Sequence, residues 1–139
     1  MIQLIVGSKG KGKTKILLEK AAQAIKEADG TVVFVDKSSQ HMYELSNKIR
    51  LINVSDYPVD DEKSFIGFIS GIFSQDHDLE YLFVDSFLKV ADLYDKDITN
   101  CIRVLAKLAD ARKVTVVISL SMDEHALPEA CKEYVAVSL

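Results

Sequence analysis

A glycine- and lysine-rich octet follows directly on a short apolar run, and this juncture constrains the fold more than any other stretch. Met1 to Val6 is apolar apart from Gln3, and Gly7-Ser8-Lys9-Gly10-Lys11-Gly12-Lys13-Thr14 follows without a spacer. The octet fits G-x-x-x-x-G-K-[ST] at every fixed position, with a strand-like run before it and a helix-like run after it. Gly7, Gly10 and Gly12 let the backbone turn so that its N–H groups converge on an anion. The helix that follows adds its positive N-terminal end. Lys13 is placed to neutralise β and γ phosphates, and the Thr14 hydroxyl to ligate Mg²⁺. Ser8, Lys9 and Lys11 complete the cradle, and a bound nucleotide accounts for three lysines in eight residues.

The chain has 139 residues, which predicts one domain over 1–139 able to bury roughly two thirds of its unfolded surface. A formal net charge of −4 disfavours a general binder of nucleic acid or of anionic membranes. The two cysteines, Cys101 and Cys131, lie in no C-x-x-C or Cys/His pattern, so a zinc site is not expected. Buried free thiols are expected instead, in keeping with a reducing compartment. The apolar start is too short for a signal peptide and no run reaches the length of a membrane span, so the expected location is the cytoplasm.

Leu17, Ala21, Ala24, Ile25 and Ala28 recur at helical spacing and predict a helix over 14–29, with Gly30 ending it in a left-handed conformation. Thr31 to Val35 reads as a strand buried on both faces. A short helix is expected within 40–48, and a short strand over 50–54. Asp60, Asp61 and Glu62 place acid at the start of another helix, whose apolar face runs from Phe65 to Phe73. Gly67 and Gly71 predict that this helix approaches the sheet closely. His77, between Asp76 and Asp78, reads as part of a solvated loop. Tyr81 to Val84 is a second buried strand, ending at Asp85. Ile98, Cys101, Ile102, Leu105, Leu108 and Ala109 define an amphipathic helix over 97–112. Val114 to Ile118 is a strand ending at Ser119-Leu120-Ser121. A short helix within 123–132 and a strand over 134–138 close the chain.

Strand and helix alternate throughout, which predicts an α/β fold, a three-layer α/β/α sandwich around a mainly parallel sheet. Ligands of such sheets bind beyond the carboxyl ends of the strands. Gly7–Thr14, Asp36, Asp85 and Ser119 all fall at such ends. The Asp85 carboxylate is then expected beside the Mg²⁺ bound through Thr14.

On these residues the chain resembles the P-loop NTPases, specifically their RecA/KaiC-like branch. The octet is the Walker A motif of that superfamily. Phe83-Val84-Asp85-Ser86 is similar to the Walker B ending common in the branch. Leu105 to Ile118 resembles its helix–strand unit leading to a polar sensor position, and Ala130 to Leu139 resembles its closing strand. The resemblance implies ATP (or GTP) and Mg²⁺ as ligands. It also implies phosphate contacts from Lys13 and a sensor role for Ser119 or Ser121. The glutamate that commonly polarises the attacking water in the branch falls on Ser38, which leaves Asp36 as the nearby carboxylate.

Three functions follow as expectations. The first is a small Mg-dependent ATP-binding protein with weak or partner-stimulated hydrolysis, using Lys13, Asp36 and Ser119. The second is a nucleotide-gated switch or assembly module without turnover. The third is a small-molecule or nucleoside kinase, disfavoured because no arginine-rich lid is present. Arg50, Arg103 and Arg112 are the only arginines. A trans-acting cationic finger would come from these, from a lysine, or from a partner, either a second copy of the chain or another protein.

Overall fold

Six short strands pair into one all-parallel sheet. The computed structural model describes residues 1–139. Its strands are β1 (Ile2–Gly7), β2 (Thr31–Asp36), β3 (Arg50–Asn53), β4 (Leu79–Val84), β5 (Thr115–Ser121) and β6 (Val135–Ser138). Their order across the sheet is β3-β2-β4-β5-β1-β6, and every pairing is parallel. The four inner strands carry side chains buried on both faces, which is why they read as continuous apolar runs rather than as alternating ones.

The helices are α1 (Lys13–Glu27), α2 (Glu62–Gln75), α3 (Phe87–Val90) and α4 (Thr99–Arg112). Residues of α2, α3 and α4 share a core of 31 buried residues with one face of the sheet. The other face carries a core of nine, covered by α1 with Leu45 and Ile49 from the loop before β3. The layers are therefore α/β/α, as expected, and most of the apolar burial lies on the α2/α4 side. Phe65 of α2 meets Phe87 of α3 edge-on, with ring centroids 5.7 Å apart, and pins the segment after β4 to this larger core. The acidic start of α2 is a reciprocal cap: the Asp61 carboxylate accepts from the Ser64 N–H at 2.8 Å, and the Ser64 hydroxyl accepts from the Asp61 N–H. No helix is long and apolar enough to cross a membrane.

Several local expectations are corrected. Gly30 does not end α1, which stops at Glu27, with Ala28 extended and its N–H returned to the Ala24 carbonyl. Gly30 is required by proximity instead, because a Cβ there would collide with the Asp78 carbonyl oxygen. Gly67 and Gly71 do not bring α2 onto the sheet. Both are exposed and a Cβ at either would meet nothing within 4 Å, while Phe65, Ile69, Ile72 and Phe73 form the buried face. The helix expected within 40–48 is a single 3₁₀ turn, Met42–Glu44. That expected within 123–132 is two 3₁₀ turns, Glu124–Ala126 and Glu129–Tyr134. Pro128 lies between them, lacks an N–H, and prevents a continuous α-helix. β5 runs on to Ser121, so Ser119 lies inside the strand rather than beyond it.

Candidate functional site

The first group of site residues hangs on the turn between β1 and α1. Gly10 and Gly12 have φ of 87° and 91°, a left-handed conformation that side chains with a Cβ disfavour. Gly12 is also the N-cap of α1, and no side chain caps the helix. The first amides of α1 are therefore left facing the loop. Lys13, the first residue of α1, is 7% exposed, and its Nζ donates to the Ser8 carbonyl at 2.9 Å. Burial pushes this ammonium below the usual lysine range, while the negative charge of Asp85 acts against that shift.

The second group is tied together by Asp85, which follows β4 and is 3% exposed. Its Oδ2 accepts from the Thr14 hydroxyl at 3.0 Å, and its Oδ1 accepts from Ser119 Oγ at 2.6 Å. Ser119 Oγ in turn accepts from the Ser86 N–H at 2.8 Å. Ser86 is held in the left-handed region at φ 55° and redirects the chain into α3. Because β5 lies between β1 and β4, Ser119 stands beside the end of β4 and holds Asp85 and Ser86 there, while Asp85 reaches Thr14 on the β1 turn. The sequence pattern thus brings together two residues 71 positions apart.

Asp36 ends β2 and is 4% exposed. Its Oδ1 accepts from the Lys37 N–H at 2.7 Å, whereas its Oδ2 is buried without a hydrogen-bond partner. Burial pushes this carboxyl above the usual aspartate range. The Lys37 N–H opposes the rise, the Asp85 charge adds to it, and His41 and Lys89 act against it. One ligand atom each of Asp36, His41 and Asp85 lies within 4.8 Å of the other two. His41 Nδ1 is 3.0 Å from a Glu44 carboxylate oxygen, and its side chain is 17% exposed.

A cleft of about 680 Å³ opens over the first two groups, and Lys9, Gly10, Lys13, Thr14, Asp85 and Ser119 line it. Ser121 lines it too. Of the other expected residues, Ser8 contributes its carbonyl to Lys13, Gly7 closes β1, and Lys11 is exposed. Asp36 and Ser38 do not reach the cleft wall, although Asp36 stands behind it against Asp85. Sequence reasoning missed Lys89 and Tyr94, both on the wall, and His41 beside Asp36. Their only sequence signal is position, since each follows closely on a strand end that carries an aspartate. A smaller hollow of about 320 Å³ lies at the opposite end of the sheet beside Gln3, Tyr81, Phe83 and Thr115, and none of the motif residues reaches it.

No protein-family model matches the chain, and no curated protein sequence matches it.

Proposed function

We propose that the protein binds a nucleoside triphosphate with Mg²⁺, ATP in the first instance, in the cytoplasm, and hydrolyses it weakly or only when a partner completes the site. The observation that carries this reading is the meeting of Lys13, Thr14 and Asp85 at one end of the sheet, below a loop whose amides and lysines suit phosphate. The donor set fits Mg²⁺. The Thr14 hydroxyl and the Asp85 carboxylate are hard oxygen ligands 3.0 Å apart. Adjacent oxygens around an octahedral Mg²⁺ with bonds of about 2.0–2.1 Å are roughly 2.9 Å apart. When bound, the ion supplies neutralisation of phosphate charge. The chain's own residues do the rest. The loop amides orient the phosphates, the Lys13 ammonium balances their charge, and Ser119 holds the Asp85 carboxylate in place. Tyr94, half-exposed on the wall, offers an aromatic face to a base.

Slow turnover follows from what surrounds this core. Asp36 is the remaining carboxylate near Asp85, and burial raises its proton affinity as a general base requires. Yet it stands behind the cleft rather than on its wall. The cations on the wall are Lys9, Lys13 and Lys89, while Arg50, Arg103 and Arg112 are exposed elsewhere. These facts equally favour a switch or assembly module that binds nucleotide without turnover.

Binding of fluorescent ATP and GTP analogues in Mg²⁺ tests the reading. Wild type is expected to bind and Lys13→Ala is expected to lose binding while keeping its circular dichroism spectrum. Equal binding by the two proteins overturns the proposal. Phosphate release measured against protein concentration then separates the two forms of it. A specific activity that rises with concentration indicates a site completed between subunits, and release no faster than Lys13→Ala indicates the switch.

A further inference from the structure

The Asp36 carboxylate sets a problem that nucleotide binding does not solve. β2 and β4 are neighbours, with Val35 opposite Val84, so the residues that follow each, Asp36 and Asp85, emerge side by side at the sheet edge. Both are nine-tenths or more buried, and neither forms an ion pair. The Asp85 oxygens are engaged by Thr14 and Ser119. Asp36 Oδ1 is engaged by Lys37, which fixes the carboxylate plane and leaves Oδ2 buried with no donor. A buried, unpaired carboxylate oxygen beside a second carboxylate is unfavourable unless a cation or a proton joins them.

The third member of the cluster indicates which cation. His41 comes from the loop five residues after Asp36, and one of its ring nitrogens is within 4.8 Å of both carboxylates. Its Nδ1 meets Glu44, which selects the tautomer and leaves Nε2 against the amide nitrogen of the exposed Gln40. A histidine oriented by a carboxylate on one nitrogen and open to displacement on the other is a common metal-site arrangement. Ligands about 2.1 Å from a tetrahedral ion are about 3.4 Å apart. Closing the cluster on an ion therefore takes at most about 1.4 Å of side-chain movement from the observed 4.8 Å.

We propose that Asp36, His41 and Asp85 form a binding site for a divalent transition-metal ion of the Mn²⁺, Co²⁺ or Zn²⁺ class, adjoining the phosphate loop. An imidazole nitrogen with two carboxylates suits such ions, whereas Mg²⁺ favours oxygen ligands alone. The Mg²⁺ pair described above uses Thr14 and Asp85; this site shares Asp85 and takes Asp36 and His41 in place of Thr14.

The test uses the full chain, stripped with a chelator and then freed of it. Titration with Co²⁺, followed by visible absorption and calorimetry, is expected to show one ion bound per chain. Zn²⁺ is expected to displace it, and Mg²⁺ in hundredfold excess is not. His41→Ala and Asp36→Asn are expected to weaken Co²⁺ binding at least about tenfold, and Glu44→Gln, which acts through His41, about tenfold. Thermal melts of each variant confirm that it is folded. Lys13→Ala is expected to lose nucleotide and keep Co²⁺, so failure of the nucleotide reading and failure of this one are distinguishable. The proposal is overturned by absence of stoichiometric Co²⁺ binding, by equal binding in His41→Ala, or by equal competition from Mg²⁺, which would indicate an oxygen-only site at Thr14 and Asp85.

Discussion

Replacing Asp36 with Asn should stabilise the metal-free protein. The amide oxygen keeps the bond from the Lys37 N–H, now 2.7 Å long at Oδ1, and the amide NH₂ takes the place of the orphaned Oδ2. The change removes a buried negative charge beside Asp85 and supplies a donor toward that carboxylate. A buried polar group left without a partner costs about 1–3 kcal/mol, and more when charged. In a domain of this size each kcal/mol moves the melting temperature by roughly 3 °C, so Asp36→Asn should melt about 3–9 °C higher at pH 8 in chelator. The pH dependence carries a sign. The Asp36 carboxyl is raised above its ordinary value in the folded state, so the fold holds this proton at a pH where the unfolded chain has released it. Its contribution is complete below the ordinary aspartate range and is lost as pH rises through the raised folded value. The gap between variant and wild type should therefore be small near pH 4 and open as pH increases. Thermal melts by circular dichroism from pH 4 to 8 measure it. A lower melting temperature for Asp36→Asn at pH 8, or a gap that does not change with pH, would refute the reasoning. Zn²⁺ at a hundred times its dissociation constant should narrow the gap, because it adds about 2.7 kcal/mol to wild type and, at tenfold weaker affinity, only about 1.4 kcal/mol to the variant.

Three further outcomes test the packing elsewhere in the fold. Gly67→Ala should raise stability by about 0.5–1 kcal/mol in urea unfolding, since the position is helical, exposed and open to a methyl group. Gly30→Ala should lower it by roughly 1–3 kcal/mol with an unchanged denaturant slope, because its methyl group meets the Asp78 backbone and the turn must shift. Burial pushes the Cys101 thiol up to about 12, so a disulfide exchange reagent at pH 8 should leave it unmodified in the folded protein and label it on unfolding.

The parts of the fold legible in the sequence are those where one local rule acts alone. The continuous β-branched runs of β2 and β5 and the helical period of α1 and α4 each point to one structure. The octet was legible because left-handed turns demand glycine at Gly10 and Gly12 and so leave a mark in the composition. The same conformation at Ser86, Asp92 and Asp95 leaves none, and α3 with its cleft residues Lys89 and Tyr94 went unread. Gly30, Gly67 and Gly71 show the converse. A glycine records that something is special without saying whether it is a dihedral, a neighbour or neither, and only the approach of Asp78 distinguishes Gly30. His41 was illegible because its partners arrive through the register of β2 against β4, a long-range pairing that no local pattern encodes.

The departures from ordinary stability rules gather at one edge of the sheet. A lysine is buried against a carbonyl, one carboxylate oxygen is buried without a donor, and a serine sits in the left-handed region, all at the carboxyl ends of β1, β2 and β4. Elsewhere α2 carries a reciprocal cap and apolar cores lie on both faces of the sheet. Such a concentration is expected where a fold sacrifices local consistency to a ligand. Lys9, Lys13 and Lys89 line the cleft together with Asp85, and Asp36 stands behind it. No lysine forms a close ion pair with either aspartate, although the Asp85 charge acts on Lys13 and the Lys89 charge on Asp36. An anion over the lysines and a cation between the aspartates would each relieve one set of charges. Asp85 borders both positions, so occupancy of one should alter affinity at the other. Linkage makes that coupling reciprocal, and it is measurable as a shift in Co²⁺ affinity on adding nucleotide.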